Sequence, residues 1–77
     1  MHVTDAMKLV IDEFHCAREM FPDPFHTNHE GYAVLLEEMD ELWDAIKEVK
    51  PSGMTDQIRD EAVQVAAMAL RFLVERC

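Results

Sequence analysis

Apolar residues recur every three or four positions over three stretches of the chain, and nowhere do they alternate with polar ones over a strand's length. Two interruptions divide the pattern, FPDPF at 21–25 and KPSG at 50–53. The first stretch predicts a helix from about Thr4 to Met20, with Met7, Val10, Ile11, Phe14, Ala17 and Phe21 on one side. Thr4 is its expected N-cap, Asp5 suits the positive end of the dipole, and Pro22 and Pro24 stop it. The second stretch predicts a helix from Asn28 to Lys50, opened by a Thr27-x-x-Glu30 capping box. Its stripe is broad: Tyr32, Leu35, Leu36, Met39, Leu42, Trp43, Ile46 and Val49. Lys47 and Lys50 suit its negative end, and Pro51 and Gly53 end it. The third stretch predicts a helix from Asp56 to Glu75, capped by Thr55.

That third helix is apolar on two sides. Ile58, Ala62, Val65, Met68, Ala69, Phe72 and Leu73 form one stripe, and Val63, Ala67, Leu70 and Val74 form another opposite it. Such a helix is normally sandwiched, and two further helices are too few to cover it. The expected fold is therefore all-α. Residues 1–77 form one helical domain, a three-helix chain that completes a helical bundle by homo-oligomerisation, as a homodimer or homotetramer.

Length and charge sharpen this picture. A domain of 77 residues buries only ~60% of the surface its unfolded chain exposes, so a partner, a metal or disulfides usually support it. Cys16 and Cys77 make no disulfide framework, and reduced thiols fit a cytoplasmic protein. No secretory pattern opens the sequence. The most apolar run, AVQVAAMALRFLV, is broken by Gln64 and Arg71 and is too short to span a bilayer. A soluble, cytoplasmic protein with no membrane contact is expected. The net charge of −9 argues against direct nucleic-acid binding, which draws its affinity from Lys and Arg. A nucleotide remains admissible if divalent cations stand between carboxylates and phosphates.

The acids are not all placed alike. At about 100° per residue, Glu38 falls roughly 60° from Leu35, at the edge of the second helix's stripe, and Glu41 one step further round. Glu37 reaches the rim of that side, whereas Asp40, Asp44 and Glu48 lie on the wet face. On the third helix Glu61 falls between Met68 and Phe72, where an acid is costly unless paired or metal-bound. Gln64 follows three residues later. Glu38/Glu41 and Glu61/Gln64 are thus two i, i+3 pairs on facing helices, a hard-oxygen set suited to Mg2+ or Mn2+. The bland alternative is that Glu38 and Glu41 are boundary residues and Glu61 a first-turn acid favoured by the helix dipole.

HEGYAVLLEEMDELWDAIK followed by DEAVQVAAMALRFL resembles the MazG-like all-α nucleoside triphosphate pyrophosphohydrolases. Their pattern is Glu-Glu-x-x-Glu on one helix and Glu-x-x-Asp on the next. Here Glu37, Glu38 and Glu41 match the first half and Glu61 opens the second, and the likeness covers about Phe25 to Glu75. The resemblance implies a Mg2+-dependent, or Mn2+-dependent, hydrolase that cleaves a nucleoside triphosphate to the monophosphate and pyrophosphate. It implies Glu38, Glu41 and Glu61 as metal ligands. Glu37 is implied as a ligand or as the group that positions water, so Glu37 and Glu38 are the candidate catalytic acids. Gln64 stands where the pattern has Asp. A carboxamide oxygen still ligates a hard cation but brings no charge, so weaker metal affinity is expected. A catalytically weak or inactive nucleotide-binding module and a helical protein-interaction domain stay open as alternatives.

Other residues carry weaker signals. His26 and His29 have a metal-like spacing but no cysteine beside them, and surface roles at a helix start are the simpler reading. His29, Tyr32 and Lys50 are candidate substrate contacts. Phe25, Tyr32 and Trp43 suit base stacking, yet aromatics at helical spacing usually serve a core, and Trp43 sits inside the apolar stripe. Arg59 and Arg71, like Lys47, read by default as solvated ends and ion pairs. His15 beside Cys16 has no evident third partner for nucleophilic catalysis.

Overall fold

The computed structural model describes residues 1–77 and contains three helices, α1 Val3–Met20, α2 Asn28–Lys47 and α3 Asp56–Arg76, with no strand. Two predicted caps are present: Thr27 Oγ1 accepts the Glu30 N–H at 3.0 Å, and Thr55 Oγ1 accepts the Ile58 N–H at 3.1 Å. The third is corrected. His2, not Thr4, caps α1, its Nδ1 accepting the Thr4 N–H at 3.1 Å. Glu30 closes its turn on the His26 N–H at 3.2 Å, one residue before the usual capping-box partner. α2 ends at Lys47 rather than Lys50 because Pro51 has no N–H for the Lys47 carbonyl and disfavours helical geometry at Lys50.

α3 is the central helix. It packs on both α1 and α2, whose backbones stay apart. Arg76 Nε donates to Asn28 Oδ1 at 2.9 Å, so α3 runs antiparallel to α2. Gln64 meets Glu13, and Arg71 meets the Phe21 carbonyl, so α3 runs parallel to α1. Phe14, Ala17, Ala67 and Met68 form the buried cluster, with Val10, Val34, Leu35 and Leu70 against it. Of α3's second stripe, Ala67 is completely buried by the chain itself and Val63 and Leu70 are half-buried, while Val74 stays 52% exposed.

Apolar side chains are exposed on all three helices, among them Met7, Leu9 and Ile11 on α1 and Leu73 and Val74 on α3, and α2 carries a set of its own. Tyr32 is 63% exposed and Trp43 59%, and Leu36, Met39 and Ile46 are exposed beside them. Trp43 is therefore not a core residue of this chain. The cause is local. Small residues allow the closest approach between helices, and α2 turns Gly31 and Ala45 inward. A Cβ on Gly31 would stand 2.6 Å from the Phe72 ring. With that side inward, Leu35, Glu38, Leu42 and Val49 are half-buried, and Glu38 occupies the middle of the packed face rather than its edge.

Arg71 is ion-paired, as expected, but it is a buried base and not a solvated one. It is 5% exposed, with Nε donating to Glu75 Oε2 at 2.8 Å and Nη2 to the carbonyls of Asp23 at 2.8 Å and Phe21 at 3.3 Å. Its guanidinium lies 4.3 Å from the centre of the Phe25 ring. Glu75 also accepts the Phe25 N–H at 2.8 Å. The α1–α2 turn is thus held from within, its unpaired carbonyls satisfied by one buried cation. Burial alone would raise the Glu75 pKa, but the Arg71 and Phe25 hydrogen bonds and the charges of Arg71 and Arg18 outweigh it and lower it.

Candidate metal centre

α2 and α3 bring three carboxylates to one place. One oxygen from each of Glu38, Glu41 and Glu61 lies within 4.8 Å of the others. Glu38 and Glu61 are half-buried, and Glu41 is exposed. Antiparallel packing sets the mid-point of α2 against the second turn of α3, and the inward turn of Gly31 and Ala45 points Glu38 at that contact. No lysine, arginine or histidine forms an ion pair with any of the three. Glu38 Oε2 and Glu61 Oε2 are buried without any hydrogen-bond partner.

Electrostatics reports the same crowding. Glu38 is pushed up to about 7, first by burial, then by the neighbouring Glu41 carboxylate and by the charges of Glu61 and Glu37. Glu61 is raised by burial first, then by Glu41 and Asp60. Three acids sharing a partly dry site without a counter-charge are unfavourable by themselves. The donor set is one a hard divalent cation accepts, since such a cation takes carboxylate oxygens and its charge would offset the repulsion.

Beside this cluster opens a cleft of about 740 Å3 between α1 and α2, floored by α3. Glu38 belongs to both cluster and cleft; Glu37, Glu13, Gln64 and Arg71 line the cleft with it. Of the sequence-derived site residues, Glu37, Glu38 and Gln64 thus share the cleft, and Glu41 and Glu61 join them through Glu38. His29, Tyr32 and Lys50 do not line it. Tyr32 lies on the outer face of α2, and Lys50 beyond the far end of that helix.

Glu13 went unnoticed in the sequence. On α1 it shares a side with Ala17 four residues on, a small residue on the packed face, and that acid-beside-alanine pattern was the available signal. Its Oε1 accepts the Gln64 Nε2–H at 2.8 Å. No family model, curated protein or solved structure matches the chain. The likeness to the MazG-like pattern therefore rests on the motif residues alone.

Proposed function

We propose that this chain is a Mg2+- or Mn2+-dependent nucleotide pyrophosphohydrolase of the MazG-like kind. One observation carries the reading: three motif carboxylates from two helices converge within 4.8 Å and leave buried oxygens unpartnered, beside a cleft large enough for a nucleotide. Glu38, Glu41 and Glu61 would hold the cation. When bound, it neutralises phosphate charge and lowers the pKa of water. In the reaction a water oxygen bonds to the α-phosphorus, and the bond from that phosphorus to the α,β-bridging oxygen breaks. Pyrophosphate leaves. The water's proton passes to a cleft carboxylate and on to solvent; Glu37, exposed on the cleft wall, would orient that water or add a ligand.

The same reading includes a cytoplasmic homo-oligomer, with a dimer as the smallest case. A monomer of 8.9 kDa is expected to expose about 4,800 Å2. This chain exposes 5724 Å2. The surplus of roughly 900 Å2 is close to the ~800 Å2 each partner gives to a standard interface. The outer stripe of α2, Tyr32 to Ile46, holds the two largest exposed side chains of the three helices, Trp43 and Tyr32, and is the apolar surface assigned to it.

The test is pyrophosphate release from a panel of ribo- and deoxynucleoside triphosphates with Mg2+ or Mn2+. Release is expected from the native protein and is expected to vanish in Glu38→Gln and Glu61→Gln. A second reading has one observation in its favour: Gln64 carries no charge and spends its amide on Glu13. A module that binds nucleotide without cleaving it would show cation-dependent nucleotide binding and no pyrophosphate. Absence of both binding and release would remove the nucleotide altogether and leave a helical interaction domain.

A further inference from the structure

Away from the three-carboxylate cluster, the cleft is built around one buried cation. Arg71 is 5% exposed and lines the cleft together with Ala17, Met20, Phe21 and Met68. Its Nε donates to Glu75 at 2.8 Å, and its Nη2 to the carbonyls of Asp23 at 2.8 Å and Phe21 at 3.3 Å. Nη1 makes no hydrogen bond and no ion pair. It is not sealed off either, since the buried side-chain atoms without a partner are Glu38 Oε2 and Glu61 Oε2 alone. The three bonds, with the Phe25 ring 4.3 Å from the guanidinium, fix the plane of the group. A pair of held N–H donors is therefore left over for the cleft.

The surrounding charge decides what those donors can take. Arg71 is already neutralised by Glu75. It is the only base lining the cleft, whereas Glu13, Asp23, Glu30, Glu37 and Glu38 all line it. A free phosphate or carboxylate beside Arg71 would meet net negative charge, and a neutral hydrogen-bond acceptor would not. Met20 and Phe21, 70% and 60% exposed, offer apolar surface next to the donors that a flat group would cover. A flat, neutral group with acceptors on its edge is a nucleobase. The spacing agrees. Glu61 and Arg71 are separated on α3 by about 15 Å of helix rise. Phosphates held at the acid cluster thus leave sugar and base to extend along the cleft toward Arg71.

We propose that Arg71 is the base-contacting residue of this cleft, its Nη1 donating to an acceptor on the edge of a nucleobase whose face lies against Met20 and Phe21. The proposal rests on the nucleotide reading above and adds to it which end of the cleft takes the base.

The experiment compares two kinds of probe by isothermal titration calorimetry with Mn2+: inorganic tripolyphosphate, and α,β-imido nucleoside triphosphates of each common base, whose bridge resists cleavage. The proteins are native and Arg71→Lys. Lysine keeps the charge, and its three donors suffice for Glu75 and the two carbonyls with none left over. Native should bind at least one nucleotide analogue roughly 10- to 100-fold more tightly than tripolyphosphate, and Arg71→Lys should lose that preference while binding tripolyphosphate as native does. Methyl NMR of the native protein gives a second readout that no folding defect of a variant can obscure: the preferred analogue should shift the Met20 methyl, and tripolyphosphate should not. Equal binding of analogue and tripolyphosphate by native, an unchanged preference in Arg71→Lys, or a Met20 methyl indifferent to the base overturns the inference and leaves the metal centre standing. If native binds neither probe with Mn2+, the nucleotide reading itself falls and this inference with it.

Discussion

Glu38→Gln should stabilise the cation-free protein at alkaline pH and destabilise the cation-loaded one. In the folded chain the Glu38 carboxyl is raised from 4.5 to about 7, chiefly by burial and by Glu41. The folded state thus holds this proton more tightly than the unfolded state does. Its contribution to stability is fully present below the ordinary carboxylate value and is lost as pH rises through 7. At ~1.4 kcal/mol per tenfold change in proton affinity, the rise amounts to about 3 kcal/mol. Glu38 is half-buried, and solvent screening reduces this to about 1–2 kcal/mol. Glutamine has the same shape and cannot ionise, so it escapes the penalty.

The assay is urea unfolding followed by circular dichroism, with a chelator, at about pH 4.5 and about pH 8.5. Native and Glu38→Gln should nearly coincide at the lower pH. At the higher pH the variant should be the more stable by about 1–2 kcal/mol. Saturating Mn2+ should then reverse the order, because a cation at 100 times its Kd adds about 2.7 kcal/mol to the protein that binds it. A variant no more stable than native at pH 8.5 in chelator would mean that Glu38 is an ordinary solvated acid. A missing reversal would show that the repulsion is real but that no cation relieves it.

Trp43→Glu should convert a self-associated native protein into a monomer in sedimentation velocity; a native protein already monomeric at micromolar concentration would sink the assignment of the outer α2 face. Arg71→Ala should cost about 3–5 kcal/mol in urea unfolding, because it strands a Glu75 carboxylate whose side chain is 4% exposed. Arg71→Met/Glu75→Gln should recover part of that loss, and no recovery would disprove the pairing argument. The lowered Glu75 value makes its contribution present above the ordinary carboxylate range and lost in acid, so native stability should fall below about pH 4. Gly31→Ala should gain helix propensity yet lose about 1–2 kcal/mol net, since the new methyl meets the Phe72 ring; a stabilised variant would contradict the close approach of α2 and α3.

Periodicity located the helices because Pro22, Pro24 and Pro51 bound them and Thr27 and Thr55 cap them, and these are local effects written in adjacent residues. Rotation of each helix about its axis is a different matter. The broad stripe on α2 is centred on its largest side chains, and weighting by size put Trp43 in the core. Packing followed Gly31 and Ala45 instead, since the face with the least bulk comes closest to α3. Trp43 is left outside, and Glu38 is carried to the centre of the contact.

The same rotation explains why the acids were more legible than the apolar residues around them. Glu38, Glu41 and Glu61 were picked out by spacing along two helices, and spacing survives an error of some 60° in which face turns inward. What spacing could not supply was a neighbour from a third helix. Glu13 precedes Gln64 by 51 positions, and nothing between them in sequence marks the pair. It becomes visible only once α1 and α3 lie side by side and parallel. In a fold whose central helix touches both others, a site on α3 can take one wall from α2 and one from α1. The cleft follows that rule, with one wall from α1 and one from α2, whereas the three-carboxylate cluster is built by α2 and α3 alone, which is why spacing on two helices was enough to find it.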